Sequence, residues 1–200
     1  MLAGYFDTTA SLVQLSLTFS MVGLAVGQLV IGPLSDKYGR KKTLMASLVL
    51  FCISTIGCLY ASDIYVFIFF RLLQGLSGAG GVVISKSIAT DLYEGRELTR
   101  FFSMLSSVQG IAPVCAPVLG GVLLEVTDWK GIFWILVLIG ILLIMALAFF
   151  KESLNNEQQH CGVFATFRNY IPVFQNAQFM RYVLVLSLIH ISEPTRQEAI

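Results

Sequence analysis

The chain alternates long apolar runs with short polar breaks. Five runs stand out, at about 12–31, 43–61, 65–85, 101–124 and 131–150. A hydrocarbon core about 30 Å thick takes about 20 helical residues to cross at 1.5 Å per residue. Each run meets that length, and in lipid such a run must satisfy its own backbone as a helix. The pattern predicts an all-α membrane protein, a multi-pass transmembrane helix bundle. Residues 1–11 are too short and too polar to span and read as an extracytoplasmic remnant, with Asp7, Thr8 and Thr9 in water. Residues 151–181 form a longer polar and amphipathic stretch, with Phe164, Phe167, Tyr170 and Phe174, that reads as a surface segment on the inner leaflet. A further apolar run, 182–191, begins another helix and stops short of spanning length. Ser192, Glu193, Pro194, Thr195 and Arg196 interrupt it, so 192–200 reads as a non-native tail and is left out of fold reasoning.

The polar breaks set the orientation. With five crossings, one side holds Lys37, Arg40, Lys41, Lys42, Lys86, Arg96, Arg100, Lys151, Arg168 and Arg181, and the other side only Lys130. Ten cations against one places the first side in the cytoplasm. Composition agrees with a membrane protein: 56% hydrophobic and only 12% charged residues, where a soluble domain carries about a quarter charged. A net charge of +1 gives no ground for a nucleic-acid partner. Cys52, Cys58, Cys115 and Cys161 form no Cys-x-x-Cys pair, His160 and His190 lie far apart, and no metal site is expected. The N-terminus opens without a basic signal region.

The most informative break is 32–42, between the first two runs. Gly32 lets a helix end approach a neighbour, and Pro33 lacks a backbone donor, which suits a helix boundary. Asp36 is expected just before the next helix, where its positive end favours a carboxylate. Gly39 can take a positive φ in the reversal. Arg40, Lys41 and Lys42 face anionic headgroups, and for the lysines a purely topogenic role is a sufficient account. The string Gly32, Leu34, Ser35, Asp36, Lys37, Gly39, Arg40, Lys41 resembles the loop between the second and third helices of the major facilitator superfamily, Gly-x-Leu-Ser-Asp-(Lys/Arg)-x-Gly-Arg-(Lys/Arg). The resemblance implies a cytoplasmic latch between two halves of a transporter, with Asp36 and Arg40 in that role. It also implies that the chain is a truncated N-terminal half of a twelve-helix major facilitator fold, running from the second helix to the start of the seventh. The first helix would then be absent apart from its outer end, and the remainder of the transporter would be a missing partner.

Two further stretches carry candidate chemistry. Arg71 lies about 10 Å inside the outer end of the third run at 1.5 Å per residue. An arginine at that depth costs on the order of 2.5–3.5 kcal/mol to insert, so it either faces an interior cavity or partner, or snorkels outward. The glycines after it lie inside an apolar span with no strand before them, so they serve helix packing and not phosphate binding. Arg71, Gln74 and Gly75 resemble the family's fourth-helix Arg-x-x-Gln-Gly motif, which implies a place in the transport path, with Gln109 on the same cavity wall. Asp91, near the inner end of the third run, is expected to pair with Arg40 when the cytoplasmic side is closed.

In the fourth run, Pro113 and Pro117 share a helix face and Gly120 and Gly121 follow. Each proline removes a backbone donor, which predicts a bent helix, either structural or flexing during alternating access. Ala116, Pro117, Gly120 and Gly121 resemble the fifth-helix motif of proton-coupled exporters, with Ala116 in place of a glycine. The doubled proline followed by Asp128 and Trp129, then Ile132 and Phe133, is most similar to the bicyclomycin-resistance (Bcr/CflA) drug exporters. There an arginine follows the tryptophan, and here it is Lys130.

The resemblance implies a proton-driven antiporter exporting small hydrophobic or amphipathic compounds across a bacterial cytoplasmic membrane. It implies no cofactor beyond the proton gradient, and for this chain alone no activity. Every acid lies in a break or at a span end, so no proton-carrying side chain is expected within these spans. No His, Asp, Glu or Cys cluster at common depth supports an enzyme. An uptake or metabolite transporter and a non-transporting membrane fragment remain the other readings.

Overall fold

In a computed structural model, the described residues are 5, 6, 8–149 and 175–185. Five helices carry the fold: α1 (Ala10–Tyr38), α2 (Arg40–Tyr60), α3 (Ile64–Leu92), α4 (Gly95–Val126) and α5 (Trp129–Ala148). All five are long and apolar enough to cross a membrane. Residues 177–185 are also helical and belong to a separate compact unit. The expected surface segment across 151–174, the end of the 182–191 run and the 192–200 tail lie outside the described residues.

The helices overrun the apolar runs, and the overrun changes the first break most. It was expected to be a turn of about ten residues with Pro33 at a helix boundary. Instead α1 continues through Pro33 to Tyr38, and Gly39 alone separates it from α2. Gly39 has φ 94° and ψ 149°, a backbone conformation open to glycine and strained for other residues. Its N–H reaches the Ser35 carbonyl at 3.1 Å, and its carbonyl accepts the Thr43 N–H at 3.2 Å. The reversal thus completes both helix ends within one residue. At 29 residues α1 is about 43 Å long, more than the apolar core needs. Polarity at Ser35, Asp36 and Lys37 therefore marks the edge of the bilayer and not the end of the helix. Asp36 lies in the last turn of α1, not ahead of α2, and its charge is balanced by a cation instead of by a helix start. Likewise α3 runs on to Leu92, which puts Asp91 on the helix.

Helix α1 packs on α3 through backbone contact. A Cβ on Gly23 would collide with the Leu72 carbonyl oxygen, and one on Gly75 with the Ser20 carbonyl oxygen. On Gly27 it would lie 2.5 Å from the Leu76 carbonyl and 2.7 Å from the Ala79 Cβ. Lipid tails are as apolar as the side chains, so such close approach is what holds membrane helices together. Helix α2 packs against both α3 and α5. It buries Cys52, Ser54, Thr55, Cys58 and Leu59. A Cβ on Gly80 would lie 2.5 Å from the Ser47 side chain, and one on Gly140 of α5 would lie 2.5 Å from the Cys52 sulfur.

Two apolar clusters anchor this arrangement. Towards the outer ends, Cys58, Leu59, Ile64, Phe67, Ile68, Trp129 and Phe133 pack together. Towards the inner side, Ile31, Ala79 and Ile84 do so. The N-terminal residues take part as well: Phe6 lies 5.4 Å from the Phe67 ring, and Tyr5 lies 5.2 Å from the Trp129 ring. Lys130 donates to the Tyr5 hydroxyl at 2.9 Å. Helix α4 is different. It passes uninterrupted through Pro113 and Pro117 and buries none of its residues.

The glycine contacts generate a test. Gly75→Ala, whose added carbon meets backbone, is expected to destabilise by about 1–3 kcal/mol, the range for overpacking. It should lower the thermal unfolding midpoint in detergent by several degrees. Gly78→Ala, on the same helix with open space around it, should leave the midpoint unchanged or raise it.

Candidate functional site

Polar groups converge at the inner ends of α1, α2 and α3. Because Gly39 reverses the chain in one residue, Arg40 follows directly and folds back over the last turn of α1. Its Nη1 donates to Asp36 Oδ1 at 2.5 Å and to Ser35 Oγ at 2.6 Å. Its Nε donates to Asp91 Oδ2 at 3.0 Å, across from α3. The Arg40 side chain is 9% exposed, against 40% for Asp36 and 20% for Asp91, so the cation is buried beneath two better-solvated carboxylates. Arginine suits this position because its planar fork can serve several acceptors at once, which a lysine cannot.

Ser35 completes the network. It is fully buried, and its hydroxyl donates to the Gly32 carbonyl at 2.8 Å while accepting from Arg40. That contact gives Gly32 a role through its backbone oxygen. Lys41 Nζ donates to the Ala148 carbonyl at 3.0 Å and so holds the start of α2 to the end of α5. A cation at the C-terminus of a helix is favoured by the free carbonyls there. The structure thus joins Gly32, Asp36, Gly39, Arg40 and Asp91 in one network and assigns Lys41 to a neighbouring clamp.

A second polar group lies deeper. Arg71 Nη1 donates to Gln74 Oε1 at 2.8 Å, and Gln74 Nε2 donates to Thr55 Oγ1 at 2.9 Å. Thr55 in turn donates to the Phe51 carbonyl at 2.6 Å. The Arg71 guanidinium carbon sits 5.9 Å from the centre of the Phe133 ring, a cation–π distance. Arg71 Nε is buried and has no hydrogen-bond partner among the described residues. Gly75, next in the motif, sits in the α1–α3 contact and serves packing there.

Gln109 is not brought to this group. It is exposed on α4 and shares no hydrogen bond with Arg71 or Gln74 among the described residues. Pro113 and Pro117 are exposed on the same helix, and Gly120 and Gly121 have open space where a side chain would go. Sequence reasoning passed over Ser35 as a structural partner and missed Thr55 entirely. The available signal was Ser54 and Thr55 together, a hydroxyl pair in the middle of an otherwise apolar run.

Comparison with known proteins fits this geometry. The family model described as Major Facilitator Superfamily matches residues 1–191. The chain is 38% identical over 188 residues to an uncharacterized MFS-type transporter, YdgK, of Bacillus subtilis, covering 92% of this chain and 47% of that protein. It is 29% identical to a bicyclomycin resistance protein homolog of Haemophilus influenzae, covering 90% and 46%. It is 33% identical over 150 residues to the multidrug resistance protein MdtL of Escherichia coli, covering 74% and 38%. The chain therefore spans about half the length, or less, of the curated relatives it matches. Among solved structures, it is similar to the human organic anion transporter MFSD10 (TETRAN), with a TM-score of 0.62 at 19% identity, covering 74% of this chain and 34% of that one. That likeness supports the fold alone.

The Arg40 network can be measured directly. A double-mutant cycle on Arg40→Ala and Asp91→Ala, read by reversible unfolding in mixed micelles, should give a coupling energy of about 1.5–3 kcal/mol, as expected for a hydrogen bond between charged groups. Arg40→Lys should lose most of it. Additivity of the two single changes would show that the contact contributes nothing.

Proposed function

The chain belongs to the major facilitator superfamily, a family of membrane transporters and not of enzymes, and from that premise we propose that it supplies the latch-bearing part of a proton-driven exporter. The cargo class is small hydrophobic or amphipathic compounds, and the membrane is the bacterial cytoplasmic membrane. The observation that carries the reading is the Arg40 network, a buried cation shared between the α1–α2 turn and the end of α3. Such a contact can form and break as one rigid piece moves against another. In alternating access, a packed element must have two stable arrangements. Asp36 and Asp91, both partly solvated, can exchange Arg40 for water at modest cost when the cytoplasmic side opens.

Export is favoured over uptake by two supports. The drug-resistance names of two relatives point to efflux. Ala116, Pro117, Gly120 and Gly121 of α4 resemble the fifth-helix motif of proton-coupled exporters, with Ala116 in place of a glycine. Arg71 and Gln74 line the path in this reading. The guanidinium stays charged throughout, so it tunes a proton-carrying group without titrating itself. No carboxylate among the described residues pairs with it.

The test co-expresses this chain with the part of YdgK that lies beyond the matched stretch. Efflux of a lipophilic cationic dye should appear and should stop when a protonophore collapses the gradient. Efflux indifferent to the protonophore, or accumulation instead of efflux, would reject the proposal. In the same cells Asp91→Arg should reduce efflux about tenfold or more, given the 1.5–3 kcal/mol of a charged hydrogen bond. Exchanging the two charges, Arg40→Asp with Asp91→Arg, should restore part of it.

A further inference from the structure

We propose that Thr55 of α2 is a positioning residue for Arg71: it decides which way the Gln74 amide points and thereby where the guanidinium is held. The argument is one of donors and acceptors. A threonine hydroxyl has a single proton. Here that proton goes to the Phe51 carbonyl at 2.6 Å, so the Thr55 oxygen can only accept from anything else. The group facing it is the Gln74 amide at 2.9 Å, which must present its NH2 side. The amide oxygen is then left facing Arg71 Nη1 at 2.8 Å, a group that can only donate. Turning the amide over would set NH2 against guanidinium N–H and lose that bond outright, while the Thr55 hydroxyl could serve the amide oxygen only by giving up the Phe51 carbonyl.

Burial gives the choice its force. Thr55 is fully buried and Gln74 is 5% exposed, so water does not offer a substitute partner. The Gln74 backbone is held as well, since its carbonyl accepts the Ser77 hydroxyl at 2.9 Å. Ser54 makes an internal comparison possible. It is as buried as Thr55 and donates to the same Phe51 carbonyl at 3.0 Å, yet it makes no bond to Gln74. If a hydroxyl at this depth acted only by serving the Phe51 carbonyl, the two residues would be equivalent. The donor argument makes them different.

The inference rests on the reading of Arg71 as part of the transport path only for its functional consequence; the positioning itself is read by spectroscopy. The chain, labelled with 15N at arginine and held in lipid nanodiscs, reports guanidinium rotation through its Nη signals. Arg71→Lys identifies the Arg71 set. In Thr55→Val, which keeps the shape and removes the hydroxyl, rotation of the Arg71 guanidinium should become about fivefold faster, the ratio implied by losing one neutral hydrogen bond of about 1 kcal/mol. Thr55→Ser should restore the original rate, and Ser54→Ala should leave it unchanged. Gln74→Met, which removes the amide at similar volume, should match Thr55→Val and serves as the second variant should valine disturb folding. Unchanged Arg71 signals in Thr55→Val and Gln74→Met, or an equal change in Ser54→Ala, would overturn the proposal. In the dye-efflux cells, Thr55→Val should slow efflux and Thr55→Ser recover it. Altered Arg71 signals with unaltered efflux would uphold the positioning role and reject the path reading of Arg71.

Discussion

Gly23, Gly27 and Gly75 let the backbones of α1 and α3 touch, and the Arg40 network follows from that contact. In lipid, helices gain little from burying apolar side chains against one another. What they gain comes from close, complementary surfaces. With α1 and α3 held at backbone distance, the inner end of α1 is brought beside the inner end of α3. The one-residue turn at Gly39 then delivers Arg40 between Asp36 and Asp91. A longer turn would leave the arginine free to reach headgroups instead.

Packing of α3 against α2 and α5 accounts for the depth at which Arg71 is tolerated. Its cost is reduced by the Gln74 oxygen and the Phe133 ring, and Gln74 is in turn satisfied by Thr55 on α2. Each helix in the α1–α3–α2–α5 series therefore contributes to holding a charge the bilayer would reject. The inner network joins α1, α2 and α3, and the deeper group joins α2, α3 and α5. Helix α2, with its buried Ser54, Thr55 and Cys58, is common to both.

Helix α4 stands apart because nothing among the described residues covers it. Its prolines and glycines fit close approach by another helix, and the open space at Gly110, Gly120 and Gly121 is consistent with a surface shaped for that. The curated relatives it matches are about twice the length of this chain or more.

Hydropathy alone determined that the chain is all-α and crosses the membrane repeatedly, because a 20-residue apolar run has no other way to satisfy its backbone in lipid. The residue string through Arg40 and Lys41 was specific enough to point to the family. Other features were invisible in one dimension. Polarity showed where the bilayer ends, so the true ends of α1 and α3, and with them the position of Asp36, needed coordinates. That Gly23 and Gly27 pack on the Gly75 surface was not legible either. Thr55 looked like one more small residue in an apolar run, and Gln109 like a neighbour of Arg71. Only the tertiary structure set a hydroxyl beside an amide and left Gln109 outside, because a hydrogen bond depends on two side chains meeting at the right angle, and sequence spacing carries no information about residues on different helices.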